Sequence, residues 1–337
     1  MGIFDWFRER PAQSEPEGFP AELVRQAIER ASALTDPRLR LLESRDETLR
    51  RPMEAFLCDL RDALTALPPA IPASEANWAG EPTLRAFFAS APDVTAALAA
   101  SRELRAFFEK RPSAGRAYAV LEAEYKERRD SAPSLRSGGA RQDIARTVLD
   151  FSAPAVHLCG QDETEVRRLI GTRAFEYLIA QAMTEIAEAR DARRGLDDAR
   201  SLLQARLRLL QQQSSAAPEN DDERRRLEFE LQENERKMEE HGDTRAALER
   251  ELECLRRALE RSREIVAFQN RRPRLDTLNA IVEETEPGAA AEAAFTLAAL
   301  STLTGAPQST RAFVTVHIDR ESIPRVKLDI ANAERFL

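Results

Sequence analysis

The chain is poor in lysine, cysteine, histidine and aromatic residues, and each shortage closes off a class of function. Of 50 basic residues only four are lysine: Lys110, Lys126, Lys237 and Lys327. The other 46 are arginine, spread along the whole length and matched by 58 acids. Guanidinium pairs well with phosphate, but an excess so evenly spread reads as the codon bias of a GC-rich, bacterial genome and not as a binding patch. Three cysteines, Cys58, Cys159 and Cys254, lie far apart. That set makes no disulfide framework and fits a reducing compartment. Three histidines suggest no Ser/His or Cys/His constellation. His157-Leu-Cys159, followed by Asp162 and Glu163, is the densest group of metal-ligand types, but it lacks the second Cys or His pair of a structural zinc site. There is no P-loop, GxSxG, HExxH, EF-hand or paired CxxC. The expectation is no metal, no cofactor and no catalysis.

Long apolar runs are missing too. None approaches the roughly 20 residues that span a bilayer. The first residues lack the basic start, apolar stretch and cleavage site of a signal peptide, and Trp6 stands where a myristoylation motif needs Ser or Thr. A cytoplasmic protein is expected. Aromatics make up 6% of the chain and charged residues 32%, against a usual charged share of roughly 25%. Surplus charge with few aromatics needs much surface per residue, as long helices provide. The 55 alanines and the arginine excess favour helix, and a hydrophobic content of 42% is enough for a sizeable core.

Proline maps the domains. Only Pro218 lies between Pro154 and Pro273, out of 18. Residues 1–10 form a bulky apolar opening and residues 11–20 a proline-rich tether. Over 19–150 apolar residues recur at helical spacing, which predicts a helical bundle. Within it Leu84-Arg-Ala-Phe-Phe88 returns as Leu104-Arg-Ala-Phe-Phe108, two similar helix faces feeding one core. Ser90-Ala-Pro-Asp93 resembles a capped helix start, and Asp162-x-x-Glu165 a second one.

From Asp162 the pattern predicts a long antiparallel coiled-coil hairpin over 162–270, with its tip at 214–222. Steps of four and three residues from Leu227 pass through Leu231, Asn234, Met238, Leu248, Leu252, Leu255, Leu259 and Val266, a seam of period 3.5. The first leg follows the same rule through Leu196, Leu203 and Leu210. Gly195 and Gly242 would stand level in such a hairpin, where Arg193, His241 and Arg245 make the seam polar, and they mark a candidate hinge. Asn234 would set register. Residues 162–272 hold 25 acids and 22 bases, a solvated surface without the basic face of a nucleic-acid binder.

The segment 273–337 predicts short helices, one of them alanine-rich from Ala289 to Leu303. A β-hairpin of Ala312, Val314, Val316 and Ile318 against Val326, Leu328 and Ile330 follows. The fold class expected is therefore mainly α: an N-terminal bundle, the coiled-coil hairpin and a small C-terminal α/β-hairpin tail.

At the other end, Ile3, Phe4 and Phe7 share a helical face with Trp6 beside it, a segment suited to a membrane interface or to a docking partner. The Met1-Gly-Ile-Phe4 start with its second Phe resembles that of phage-shock-protein-A-like membrane-remodelling proteins, which also carry a long helical hairpin. Here a proline tether and a separate bundle come first, and no family function is carried over. The leading functional reading is a non-catalytic bacterial scaffold that binds protein partners or itself. The alternative is a peripheral protein of the inner-membrane surface held by residues 1–10. The third is an enzyme with an unfamiliar site in the bundle.

Overall fold

The computed structural model describes residues 19–135, 141–212, 218–240, 244–282, 290–302 and 307–323. The chain forms two compact units. One takes Cys58–Phe175 together with the described residues from Arg263 on; the other takes Glu17–Leu57 and Glu176–Ser262.

The first unit overturns the mainly α reading. Its centre is a six-stranded sheet. Strand β1 is Ile71–Pro72, β2 Arg116–Leu135, β3 Arg141–Gly160, β4 Val266–Arg271, β7 Phe295–Ser301 and β8 Pro307–Asp319. The order β3-β2-β8-β7-β4 is antiparallel throughout, with β1 added parallel to β8. A separate two-stranded ribbon pairs β5 (Arg274–Leu275) with β6 (Ala291–Glu292). Three helices, α3 (Pro82–Phe87), α4 (Ala91–Ala100) and α5 (Arg102–Lys110), share a core with the sheet.

The expected bundle over 19–150 thus stops being helical at Lys110. In β2 the residues Ala117, Ala119, Leu121 and Ala123 are all buried, every second position of the strand. Three of the four are alanine, the best helix former, so propensity points to helix where the period of two makes a strand. The same correction applies to the helix expected over 289–303, whose alanine-rich centre is β7, held between β8 and β4. Of the expected C-terminal hairpin, Ala312–Ile318 is a strand, part of β8, but an interior one paired with β2, β7 and β1. Val326, Leu328 and Ile330 lie outside the described residues.

The internal echo has a clear role. Leu84, Phe87 and Phe88 of the first copy and Leu104, Phe107 and Phe108 of the second all enter one core with the β2 alanines, Val314, Val316 and Ile318. Small residues on the sheet let these bulky side chains approach its backbone closely. Helix α4 starts with the capping box Ser90/Asp93. Ser101 caps α5 through Leu104 N at 3.1 Å and donates to Val156 O at 2.9 Å, which ties the helix to β3.

The second unit contains α1 (Ala21–Thr35), a 3-10 turn over Pro37–Leu41, the start of α2 (Arg45–Thr65), most of α6 (Glu163–Gln212), α7 (Pro218–Glu240) and α8 (Thr244–Glu260). Helix α6 opens where Asp162 accepts from Glu165 N and Glu165 accepts from Gln161 N, both at 2.7 Å. A long coiled-coil hairpin is not shown, and that expectation is corrected in two respects. The described part of the second leg is α7 and α8, on either side of residues 241–243. It ends at Glu260, and after the short α9 (Ser262–Ile265) Val266 begins strand β4 instead of closing a seam. Leu248, Leu252, Leu255 and Leu259 are buried in a unit where α8 also packs against the Pro37–Leu41 turn, so their stripe serves a core of several elements. Period 3.5 marks an apolar stripe; it does not count the elements that cover it.

Candidate interaction surface

Ion pairs set the register of α6 against its neighbours in the second unit. Glu185 pairs with Arg257 at 2.9 Å, Arg190 with Glu251 at 2.7 Å and Arg200 with Glu235 at 3.3 Å. Arg190 also reaches Asp36 at 2.5 Å. Asp36 is buried, accepts from Arg38 N at 2.8 Å and from the Arg38 side chain. The Arg38 guanidinium, with Arg190 beyond it, holds the Asp36 carboxyl below the usual range against the opposing effect of burial. This four-residue network of Asp36, Arg38, Arg190 and Glu251 fastens the 3-10 turn to α6 and α8. Its charges are all paired, so it reads as a fastening and not as a reactive centre.

The expected seam residues divide into two groups. Leu248, Leu252, Leu255 and Leu259 on α8, and Leu227 on α7, are buried. Leu196, Leu203 and Leu210 on α6, and Leu231 and Met238 on α7, are only half-buried. Asn234 is 7% exposed, and its Oδ1 has no hydrogen-bond partner. Gly195 lies inside the uninterrupted α6, where a Cβ would meet nothing within 4 Å, so no close approach demands a glycine there. Gly242, like Ile3, Phe4, Trp6 and Phe7, lies outside the described residues.

Three residues that sequence reasoning passed over are the most informative. Leu202 and Leu209 on α6 are 55% and 57% exposed, and Phe229 on α7 is 69% exposed. Leu202 and Leu209 are seven apart and share a helix face. A signal for them existed: the doublets Leu202-Leu203 and Leu209-Leu210 each hold one leucine for the seam and one in excess. Isolated exposed leucines need no explanation, but a repeated pair on α6 and a phenylalanine on the neighbouring α7 are what a contact surface uses.

A polar cluster of the first unit surrounds His157. His157 Nδ1 lies 3.4 Å from Glu103 and its Nε2 lies 3.5 Å from Glu122, which in turn pairs with Arg311 at 2.9 Å. The two carboxylates sit at opposite ring nitrogens, so they cannot converge with the imidazole on one ion. Among the described residues no group of three or more His, Cys, Asp or Glu is placed to hold a metal. Burial, with help from Glu103, pushes the Cys159 thiol up to about 12, which leaves it protonated and a poor nucleophile. What the cluster does is local: β3 bulges at this point, Leu158 has φ 54°, and its N–H donates to Glu103 at 2.6 Å. Glu103 thereby holds a left-handed, non-glycine backbone position in place.

A cleft of about 330 Å³ in the second unit has Phe19, Val24 and Ile28 as its apolar lining and Glu22, Arg25, Asp46, Arg50 and Glu54 as its charged one. Its described lining contains no histidine, cysteine or hydroxyl side chain. Among the described residues no helix is long and apolar enough to cross a membrane. No family model, no curated protein and no solved structure matches this chain.

Proposed function

We propose that the chain is a non-catalytic interaction protein of the bacterial cytoplasm, and that the α6–α7 stretch of its helical unit carries the contact surface. The observation that supports this is the exposure of Leu202, Leu209 and Phe229. Each would lose about 1.5–3 kcal/mol of hydration penalty on full burial, so together they offer a protein partner a substantial apolar anchor. The polar groups on the same helices, largely paired with one another, would form the rim. The balanced charge of the segment disfavours nucleic acid as the partner.

The test is chemical crosslinking and affinity capture from the native host with the wild-type chain and with Leu202→Glu/Leu209→Glu/Phe229→Glu. A partner recovered by the wild type and lost by the triple variant, with melting unchanged, is the expected result. Identical recovery by both chains would remove this surface from the mechanism.

A further inference from the structure

We propose that the outer face of α7 is a homodimer surface, on which two copies of this helix pack antiparallel about Phe229. The proposal rests on the reading of α6–α7 as an interaction region and names a partner for one part of it, a second copy of this chain.

The argument is charge order around an exposed aromatic. Residues three, four and seven positions from Phe229 share its side of the helix. Towards the N-terminus these are Arg226, Arg225 and Asp222; towards the C-terminus they are Gln232, Glu233 and Arg236. Phe229 is 69% exposed, and the side chains of Asp222, Arg225, Arg226 and Arg236 are well exposed around it.

A two-fold axis through Phe229 places each residue opposite the one equally far on the other side. Arg225 then meets the partner's Glu233, Asp222 meets the partner's Arg236, and Arg226 meets the partner's Gln232. By symmetry each contact occurs twice, as an isologous interface requires. A parallel pairing in register would set Arg225 against the partner's Arg225 and Asp222 against the partner's Asp222, so the order of signs selects the antiparallel one.

Among the described residues these groups are engaged along their own helix, Arg225 with Asp222 at 3.4 Å, Arg226 with Glu230 at 3.1 Å, and Arg236 with Glu233 at 2.6 Å and Glu240 at 2.5 Å. Such pairs are exposed and weakly held, and they exchange for equivalent pairs across the dyad at little cost. Phe229 has no equivalent within the helix, and its burial drives the association.

The size of the surface sets its strength. From Asp222 to Arg236 the helix runs about 21 Å, and one such crossing falls short of the roughly 1,600 Å² of a standard interface. The dimer is therefore weak, and its exposed charge pairs make it sensitive to salt.

Sedimentation equilibrium of the full chain, from roughly 1 to 500 µM, tests this. The apparent mass should rise from the monomer's 37.9 kDa towards twice that value, and less so at high salt. Phe229→Glu should hold the chain monomeric over the whole range, and Phe229→Gln should do the same without adding charge. Arg225→Glu should weaken association about tenfold or more. Adding Glu233→Arg in the same chain should restore it, because the exchange regenerates both pairs. Circular dichroism confirms that each variant keeps its helicity. A wild type monomeric throughout, a dimer indifferent to Phe229→Glu, or a charge exchange that fails to rescue would each overturn the proposal. If the wild type is monomeric while a host protein is still captured through Leu202 and Leu209, only the second-copy partner falls and the interaction reading stands.

Discussion

The two ends of the helical unit use the same kind of helix to different effect. Where α6 meets α8, every apolar residue of the α8 stripe from Leu248 to Leu259 is buried and the ionic network of Asp36, Arg190 and Glu251 is closed. Where α6 meets α7, Leu207 and Leu227 are buried but Leu196, Leu203, Leu210, Leu231 and Met238 are only half-buried, Asn234 keeps an unsatisfied Oδ1, and Leu202, Leu209 and Phe229 face solvent. The α8 end has a further element against it, the Pro37–Leu41 turn. Two helices bury one stripe each; a third element closes a core. The covered stripe lies at the first end, where Leu41 of the turn is nonetheless 75% exposed, and the less covered stripe lies at the second.

The sharpest test of that contrast is a matched pair of substitutions. Leu255 is fully buried, so Leu255→Asp should cost more than about 4 kcal/mol by leaving an unpaired charge in the core. Leu203 occupies the corresponding stripe on α6 but is half-buried, and Leu203→Asp should cost about 1 kcal/mol, since its carboxylate can reach water. Denaturant unfolding followed by circular dichroism measures both. Equal losses would mean that the two ends do not differ.

Acid should weaken the α8 end. The folded-state value of Asp36 lies below the usual carboxylate range because of its bond to Arg38, with Arg190 adding to it. A lowered carboxylate stabilises the fold fully above the unfolded value, and the contribution disappears as pH falls through the folded one. Thermal melting between about pH 6 and pH 2 should therefore show a loss that Asp36→Asn largely flattens. At neutral pH Asp36→Asn should itself cost about 2 kcal/mol, by removing a charged acceptor from two guanidinium groups. A variant as acid-sensitive as the wild type would place the origin of acid lability elsewhere.

How far these two ends were legible follows from the range of the interactions that define them. Local signals were readable: Ser90 with Asp93 and Asp162 with Glu165 are neighbours in sequence, and the two Leu-Arg-Ala-Phe-Phe copies describe one face each. Of the sheet only the alternation Ala312, Val314, Val316 and Ile318 of β8 was readable; β2 alternates mostly alanines and its pairing with β8 is distant, Arg116 lying opposite Asp319. Helix propensity is local and strand pairing is not, so where they conflicted the local term was overvalued. The 3.5 period located the α8 stripe from Leu248 to Leu259 but could not report the 3-10 turn beside α8. The candidate surface was missed for a related reason: attention to the seam removes from view the leucine just before it, Leu202 or Leu209, and Phe229 is off the seam altogether.

Asn234 gives a test in the opposite direction. It is nearly fully buried on α7 with an orphaned acceptor, and a buried polar atom without a partner costs about 1–3 kcal/mol. Asn234→Leu should raise stability by about 1 kcal/mol, part of the gain being lost to the altered shape. At the α8 end the stripe positions Leu248, Leu252, Leu255 and Leu259 already carry buried leucine. If Asn234→Leu destabilised the chain, the acceptor would have to be satisfied by an ordered water, and the α6–α7 contact would be better closed than its half-buried leucines indicate.

The smallest expected effect carries the most about function. Leu202→Glu with Leu209→Glu replaces two exposed leucines on a helix that already carries many charges, and such changes usually stay within about 0.5 kcal/mol of the wild type. The new carboxylates would sit close to Arg206, four residues from the first and three from the second, a spacing that allows weak compensating pairs. Folding therefore provides no reason to keep leucine at either position, and melting of the double variant should coincide with that of the wild type. A clear loss of stability would show that the two leucines are covered in solution by this chain itself, and that the α6–α7 end is a second core, not a free surface.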